Sequence, residues 1–118
     1  MTILVVDDDL LAAEMTSAIL EASGYRTLIA ENAIDGMEQL NQHSDIVMVI
    51  SDLNMPLVSG IDFFRELREQ GNQLPFIVLT GDQTDSLLQS NPDLDDCLIK
   101  DFDLADTLPR TVGRILQS

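Results

Sequence analysis

Short apolar runs alternate along the chain with segments whose apolar residues recur at helical spacing. The runs that we interpret as strands are rich in β-branched residues and lie at 3–6, 27–30, 46–50, 76–79 and 98–99. The first, third and fourth runs are apolar throughout, which is typical of parallel strands that helices cover on both faces. The alternation therefore predicts five βα units.

Helical periodicity predicts one helix after each strand. The first helix is expected to bury one apolar face, formed by Leu11, Met15, Ala18, Ile19 and Ala22. Asn32 and Ser59 are suitable caps for the second and third helices. Residues 83–90 predict a short fourth helix that ends before Pro92. Residues 104–116 predict a fifth helix, and Pro109 is expected to kink it or to delay its start.

Short connections from strand to helix to strand require right-handed crossovers and an open parallel sheet. Five strands favour a flavodoxin-like, doubly wound α/β fold with strand order 2-1-3-4-5 and helices on both faces. The length of 118 residues suits one domain that covers 1–118.

The acidic composition argues against nucleic acids and anionic membranes as binding partners. The chain has 6 Lys and Arg residues against 21 Asp and Glu residues, which gives a formal net charge of −15. Such a surface repels phosphate backbones and anionic lipids, so we expect no direct binding to nucleic acid or to a membrane. The single cysteine, Cys97, excludes an internal disulfide. Because the N-terminus lacks the features of a secretory signal, a cytoplasmic location is expected.

Polar residues follow the strands at the edge where a doubly wound sheet binds its ligands. Asp7 and Asp8 follow the first strand, Asp52 the third and Thr80 the fourth, while Lys100, the only lysine, follows the fifth. Two like charges about 4 Å apart repel by roughly 4 kcal/mol at an effective dielectric constant near 20, so without compensation at least one carboxylate would stay protonated. A divalent cation would remove this repulsion. Oxygen ligands without nearby His or Cys favour Mg²⁺, or the similar Mn²⁺, over zinc.

Asp52 is the candidate nucleophile of this edge, because a metal-bound aspartate can accept a phosphoryl group as an acyl phosphate. Thr80 and Lys100 are suitable groups to stabilise the charge that develops during the transfer. Simpler interpretations stay open for single residues. An Asp cluster after a strand often forms only a turn and a helix cap, which is the role expected of Asp9.

Four segments carry a resemblance to a known family: ILVVDDD at 3–9, SDLNMPLVSG at 51–60, IVLTG at 77–81 and LIK at 98–100. Through them the chain resembles, over essentially its whole length, a response-regulator receiver domain of two-component signalling, of the chemotaxis-receiver type. The resemblance implies a phosphoacceptor module that switches an output face or a fused C-terminal effector. Such a module catalyses only its own phosphorylation and dephosphorylation, so we do not expect an enzyme acting on an external metabolite.

The resemblance also implies roles for single residues. Asp52 would accept the phosphoryl group from a phosphohistidine of a histidine kinase or phosphotransfer protein. Lys100 would pair with Asp52 and then with the phosphate, and Thr80 would hydrogen-bond a phosphoryl oxygen. The implied ligands of Mg²⁺ are Asp7 (largely through water), Asp8, Asp52 and the backbone carbonyl of Asn54. The segment Met55-Pro56 and Gly60 would shape the loop after the nucleophile, and Asn54 and Asp82 would modulate the lifetime of the phosphoryl group. Receivers often pair through the face of helix 4, strand 5 and helix 5, so a homodimer is left open.

Two departures from the family pattern lie around the single lysine. Asp101 stands where the family usually has Pro, and Cys97 stands where it usually has an aromatic residue that rotates inward. The alternative is therefore an atypical receiver that acts as a constitutive protein-interaction domain with little phosphorylation-dependent switching. A flavin-binding domain of the same strand order is a weaker alternative, because three aspartates after the first strand would repel a flavin phosphate.

Overall fold

The strands form one parallel sheet in the order β2-β1-β3-β4-β5 within the computed structural model, which describes residues 1–81 and 84–117. The strands are β1 Thr2–Val6, β2 Arg26–Ala30, β3 Ile46–Asp52, β4 Phe76–Thr80 and β5 Asp96–Ile99. The helices are α1 Leu10–Ala22, α2 Ala33–Gln42, α3 Gly60–Glu69, α4 Asp85–Ser90 and α5 Leu104–Gln117. The predicted doubly wound fold and its strand order are confirmed.

The buried side chains lie in two layers, one on each face of the sheet. Successive residues of a strand point to opposite faces, so β1 contributes Leu4 and Val6 to one layer and Ile3 and Val5 to the other. The first layer packs against α2 and α3, and the second packs against α1 and α5. Burial on both faces explains why β1, β3 and β4 read as continuous apolar runs.

Side-chain caps begin the first three helices where the sequence predicts them. Asp9, Asn32 and Ser59 each accept hydrogen bonds from main-chain N–H groups in the first turn of α1, α2 and α3. A cap of this kind contributes about 1 kcal/mol to stability. These caps also end the loops that leave β1, β2 and β3, so they set the distance from each strand to its helix.

The buried face of α1 differs from the sequence prediction. Leu11 and Met15 are 67% and 62% exposed, and Ala18 and Ala22 are also exposed. The buried residues of α1 are Ala13, Thr16, Ser17 and Leu20, and Ile19 of the predicted face is partly buried and packs against the core. Ser17 is buried because its hydroxyl is hydrogen-bonded to Thr27 of β2, which removes the penalty for desolvating it. Apolar spacing alone could not identify a face that contains two hydroxyl side chains.

The start of α5 agrees with the predicted range, but not with the delay expected from Pro109. The helix begins at Leu104 and continues through Pro109, so the expected delay is wrong. The side chain of Asp101 accepts a hydrogen bond from the N–H of Asp103, and its carbonyl accepts one from Leu104. This turn begins the helix before the proline is reached. The fourth helix is described from Asp85, and Gln83 of the predicted range lies outside the described residues.

No helix in the described ranges is both long enough and apolar enough to cross a membrane.

Candidate functional site

The carboxyl ends of β1, β3, β4 and β5 bring the predicted polar residues to one edge of the sheet. Val6 of β1 lies beside Ser51 of β3, so the next residue of each strand, Asp7 and Asp52, reaches this edge at the same level. Thr80 ends β4 and pairs in register with Ile99, the residue before Lys100. The parallel register therefore gathers four separate segments of the sequence.

Three carboxylates converge at this edge. Oxygen atoms of Asp7, Asp8 and Asp52 all lie within 4.8 Å of one another. Asp7 is buried, Asp52 is mostly buried with 12% of its side chain exposed, and Asp8 is exposed at the rim. An all-oxygen donor set with an open side fits a hard divalent cation such as Mg²⁺, which usually keeps several waters. The residues present could therefore hold the predicted metal ion.

Lys100 bridges two of the three carboxylates. Its Nζ lies 2.7 Å from Oδ2 of Asp7 and 2.7 Å from Oδ1 of Asp52. Its backbone N–H donates to the carbonyl of Thr80 over 2.7 Å, which holds the start of the β5–α5 loop against β4. The ammonium group offsets part of the repulsion that gathering the carboxylates creates.

The ionisation of Asp52 and Lys100 follows from their surroundings. Burial raises the pKa of Asp52 above its ordinary value, against the opposing effect of Lys100, and the charges of Asp7 and Asp8 raise it further. Burial by itself lowers the pKa of Lys100, but its hydrogen bonds to Asp52 and Asp7 outweigh burial and the pKa is raised. Lys100 therefore remains a cation at neutral pH.

The other predicted site residues are Thr80, Asn54 and Asp82, and they differ in their position relative to the carboxylate cluster. Thr80 is almost fully buried at the end of β4, between the strands that carry Asp52 and Lys100. Asn54 is exposed in the loop after β3. Asp82, to which the sequence assigns an influence on phosphoryl lifetime, lies outside the described residues.

The loop after Asp52 is built around a close backbone contact. The N–H of Gly60 donates to the carbonyl of Leu53 over 2.9 Å. A Cβ atom at Gly60 would lie 2.4 Å from the carbonyl oxygen of Asp52, a distance that real Cβ atoms essentially never show. Glycine is therefore required here because the first turn of α3 touches the backbone of the candidate nucleophile.

The sequence analysis assigned no role in the site to two groups that support it. The N–H of Asp9 donates to Oδ1 of Asp7 over 3.0 Å. The fully buried hydroxyl of Ser51 donates to the carbonyl of Asp52 over 2.9 Å and contacts Sδ of Met55 at 3.9 Å. A polar residue that ends an otherwise apolar strand could have signalled Ser51, whereas a main-chain donor such as that of Asp9 leaves no signal in the residue types.

Cys97 fills a buried position in β5, as the sequence predicts. Burial raises the pKa of its thiol to about 11, from 9.0, and Asp96 adds to the effect. In the unfolded chain the thiol loses its proton near pH 9, so the folded state binds more protons between the two values. The free energy of unfolding must therefore fall as pH rises through this window.

We expect Cys97 to contribute a loss of about 2–3 kcal/mol in the free energy of unfolding between pH 8 and pH 11, at about 1.4 kcal/mol for each unit of pKa shift. Urea unfolding across this range measures the slope. Cys97→Ala should be less stable near pH 8 because of the cavity, but should lose less stability as pH rises, so that the difference between the two proteins narrows or reverses toward pH 11. Equal slopes for the two proteins would contradict the assignment.

The fold and the site together define a class: doubly wound α/β domains that carry a lysine-bridged carboxylate cluster at the ends of their strands. The family model for the response regulator receiver domain matches residues 3–111. The chain therefore belongs to the response-regulator receiver family, and the predicted resemblance is confirmed. Receiver domains are the signalling modules of two-component systems.

Similar proteins support the same assignment. The chain is 33% identical over 110 residues to the transcriptional regulatory protein CpxR homolog of Haemophilus influenzae. The match covers 92% of this chain and 47% of that protein. It spans about half the length of the curated relatives it matches.

Two solved structures match almost the whole chain. The receiver domain of Francisella response regulator 1452 is 27% identical, with a TM-score of 0.87 and coverage of 98% of this chain and 96% of that one. Response regulator TrrA from Thermotoga maritima, solved in complex with Mg²⁺-BeF, is 28% identical, with a TM-score of 0.83 and coverage of 97% of each chain.

Proposed function

We propose that residues 1–118 form a single receiver domain that accepts a phosphoryl group on Asp52 in a Mg²⁺-dependent reaction. The donor is the phosphohistidine of a histidine kinase or phosphotransfer protein. The observation that carries this proposal is the position of Lys100, whose Nζ lies 2.7 Å from both Asp52 and Asp7 beside the cluster of three carboxylates. An ammonium and a cation site next to one reachable carboxylate are the elements that phosphoryl transfer needs.

Asp52 is the best acceptor of the three carboxylates. Both oxygens of Asp7 already accept hydrogen bonds, one from the N–H of Asp9 and the other from Lys100, and the residue is buried. Asp8 is exposed at the rim, where it suits direct contact with a hydrated cation. Asp52 is less buried than Asp7 and is held by Lys100 through Oδ1.

The transfer forms one bond and breaks one. A carboxylate oxygen of Asp52 attacks phosphorus, the bond between phosphorus and the donor's imidazole nitrogen breaks, and the imidazole leaves with the electron pair and takes up a proton. The ammonium group of Lys100 exchanges its ion pair with the Asp52 carboxylate for one with the new phosphoryl oxygens. The hydroxyl of Thr80 donates a hydrogen bond to one of these oxygens. Asp8, Asp52, the carbonyl of Asn54 and, through water, Asp7 would hold Mg²⁺. When bound, that ion neutralises negative charge on the phosphoryl oxygens.

The length of the relatives and the residue at position 97 of β5 support two different proposals for the output of the switch. Because the matched relatives are about twice as long, we propose a fused C-terminal output domain, and a homodimer through α4, β5 and α5 remains part of the proposal. Cys97 in place of an aromatic residue favours a second candidate, a constitutive interaction domain. In that case the chain would bind Mg²⁺ and a phosphoryl mimic without changing the surface of α4 and β5.

Beryllium fluoride with Mg²⁺ tests the proposed pocket, because this mimic is bound by the similar protein TrrA. A ligand at about a hundred times its Kd stabilises the folded state by about 2.7 kcal/mol, so we expect Tm to rise by roughly 10 °C. Fluoride with Mg²⁺ but without beryllium is the control. An unchanged Tm would contradict the phosphoacceptor function. A raised Tm with unchanged amide hydrogen exchange in α4 and β5 would favour the constitutive domain.

A further inference from the structure

One residue at the rim of the pocket has an unfavourable backbone conformation. Leu57 has φ +71°, and within the ranges 1–81 and 84–117 it is the one non-glycine residue with positive φ. The N–H of Val58 donates to the carbonyl of Pro56 over 2.8 Å, which closes a three-residue turn around Leu57. A turn of this kind with positive φ at its centre is rare and strained, and a side chain larger than Asn or Asp makes it less favourable.

The folded chain itself gains no packing from this leucine. Its side chain is 99% exposed, whereas Met55 is buried and Val58 packs against the core. These anchored neighbours hold the turn in place, so the backbone of residue 57 would be the same with glycine or asparagine. A strained residue with an exposed apolar side chain suggests a function outside the folding of the chain.

Leu57 lies near Asp8, the exposed member of the carboxylate cluster. A cavity of about 210 Å³ separates the turn from the start of α2, and Asp8, Ile34 and Leu57 are among its lining residues. Ile34 is 68% exposed. Asp8 belongs both to this cavity and to the carboxylate cluster. Two exposed apolar side chains therefore flank a cavity that shares Asp8 with the proposed phosphoacceptor site.

The position of Leu57 and Ile34 beside the pocket limits which kind of phosphodonor can contact them. A small phosphodonor reaches Asp52 through the pocket and has no surface to place on Leu57. A protein donor must bring its phosphohistidine to Asp52, so the surface around that histidine must cover the rim. Because the chain carries a net charge of −15, an apolar contact provides attraction that a negatively charged donor surface does not cancel.

We propose that Leu57, together with Ile34, is a specificity contact for the protein phosphodonor, which places an apolar side chain into the cavity beside Asp8. This inference rests on the proposed function, since it concerns the partner of the same site. The turn directs the side chain of Leu57 outward and keeps its backbone at an unfavourable positive φ. The side chain is exposed in the free chain and becomes buried when the partner binds.

Comparison of two phosphodonors tests the contact. The protein donor is the autophosphorylated cytoplasmic portion of the histidine kinase that labels the wild-type chain fastest in a panel, and the small donor is acetyl phosphate. Leu57→Asn, which suits the positive φ, should reduce kcat/KM with the kinase by about tenfold or more. Labelling by acetyl phosphate should stay within about twofold of wild type, and Tm should not fall.

Two further variants serve as matched controls. Leu57→Met keeps an apolar side chain at the same backbone position and should retain transfer from the kinase within about threefold. Ile99→Thr removes a partly exposed apolar group (42% exposed) from β5, outside the residues that line the cavity, and should leave transfer unchanged.

The outcomes separate the contact from the function of the site. Unchanged transfer from the kinase to Leu57→Asn would overturn the contact, while labelling by acetyl phosphate would leave the proposed function standing. An equal loss with both donors would also overturn it, because the turn would then act by positioning Asp52. If neither donor labels wild type, the proposed function fails and the contact fails with it.

Discussion

Replacement of Asp52 by asparagine is expected to abolish labelling by acetyl phosphate, with an initial rate lowered by about 100-fold or more. The amide has nearly the same shape as the carboxylate but is a very poor nucleophile. Radiolabel incorporation and intact mass measure the loss, in the presence of Mg²⁺. Continued labelling of Asp52→Asn at the wild-type rate would remove Asp52 from the proposed role.

The same variant should fold normally, because Lys100 keeps its ion pair with Asp7. Removal of one charge from three clustered carboxylates also relieves repulsion, so Tm should stay level or rise slightly. Asp106→Asn is the matched control: it removes an exposed carboxylate of α5 whose ion-pair partner is Arg110. It should be labelled like wild type.

Replacement of Gly60 by alanine is expected to lower the free energy of unfolding by about 3 kcal/mol, at the upper end of the usual cost of overpacking. The added Cβ would lie 2.4 Å from the carbonyl oxygen of Asp52 and 3.2 Å from Cα of Leu53. These are backbone atoms, so no side chain can rotate away and α3 must shift relative to the end of β3. Urea unfolding measures the loss.

Gly113→Ala is the matched control for this substitution. A Cβ at Gly113, inside α5, meets no atom within 4 Å, so the change should stabilise the helix by up to about 1 kcal/mol. Since relief of the clash at Gly60 moves the backbone of Asp52, Gly60→Ala should also slow labelling by acetyl phosphate, by about tenfold. Equal stability of Gly60→Ala and wild type would show that the contact is looser than the structure indicates.

The fold could be predicted from local patterns to a large extent. Strands buried on both faces appear as continuous apolar runs, and residues such as Asn32 and Ser59 cap the helix that directly follows them. These signals are local, because each depends on a few neighbouring residues. Where burial depended on a contact with a distant strand, as for Ser17 with Thr27, the local pattern gave the wrong face of α1.

The candidate site could be predicted in residue types but only partly in contacts. The position of Asp7, Asp52 and Lys100 after strands implied one edge of the sheet, since parallel strands end together. The resemblance implied the pair of Lys100 with Asp52, but the sequence could not show that Lys100 also contacts Asp7, nor that Gly60 touches the backbone of Asp52. The first contact joins residues that are far apart in the chain, and the second depends on how the loop after β3 folds back.

The sequence by itself determined the doubly wound sheet, the helix caps and the set of polar residues at its edge. These depend on apolar periodicity, on hydrogen bonds to neighbouring residues and on strand direction. Only the tertiary structure decided which face of α1 is buried, that α5 begins before Pro109, and that Leu57 is held at positive φ beside Asp8. Each of these depends on how separate segments pack against one another, which residue types along a single segment do not encode.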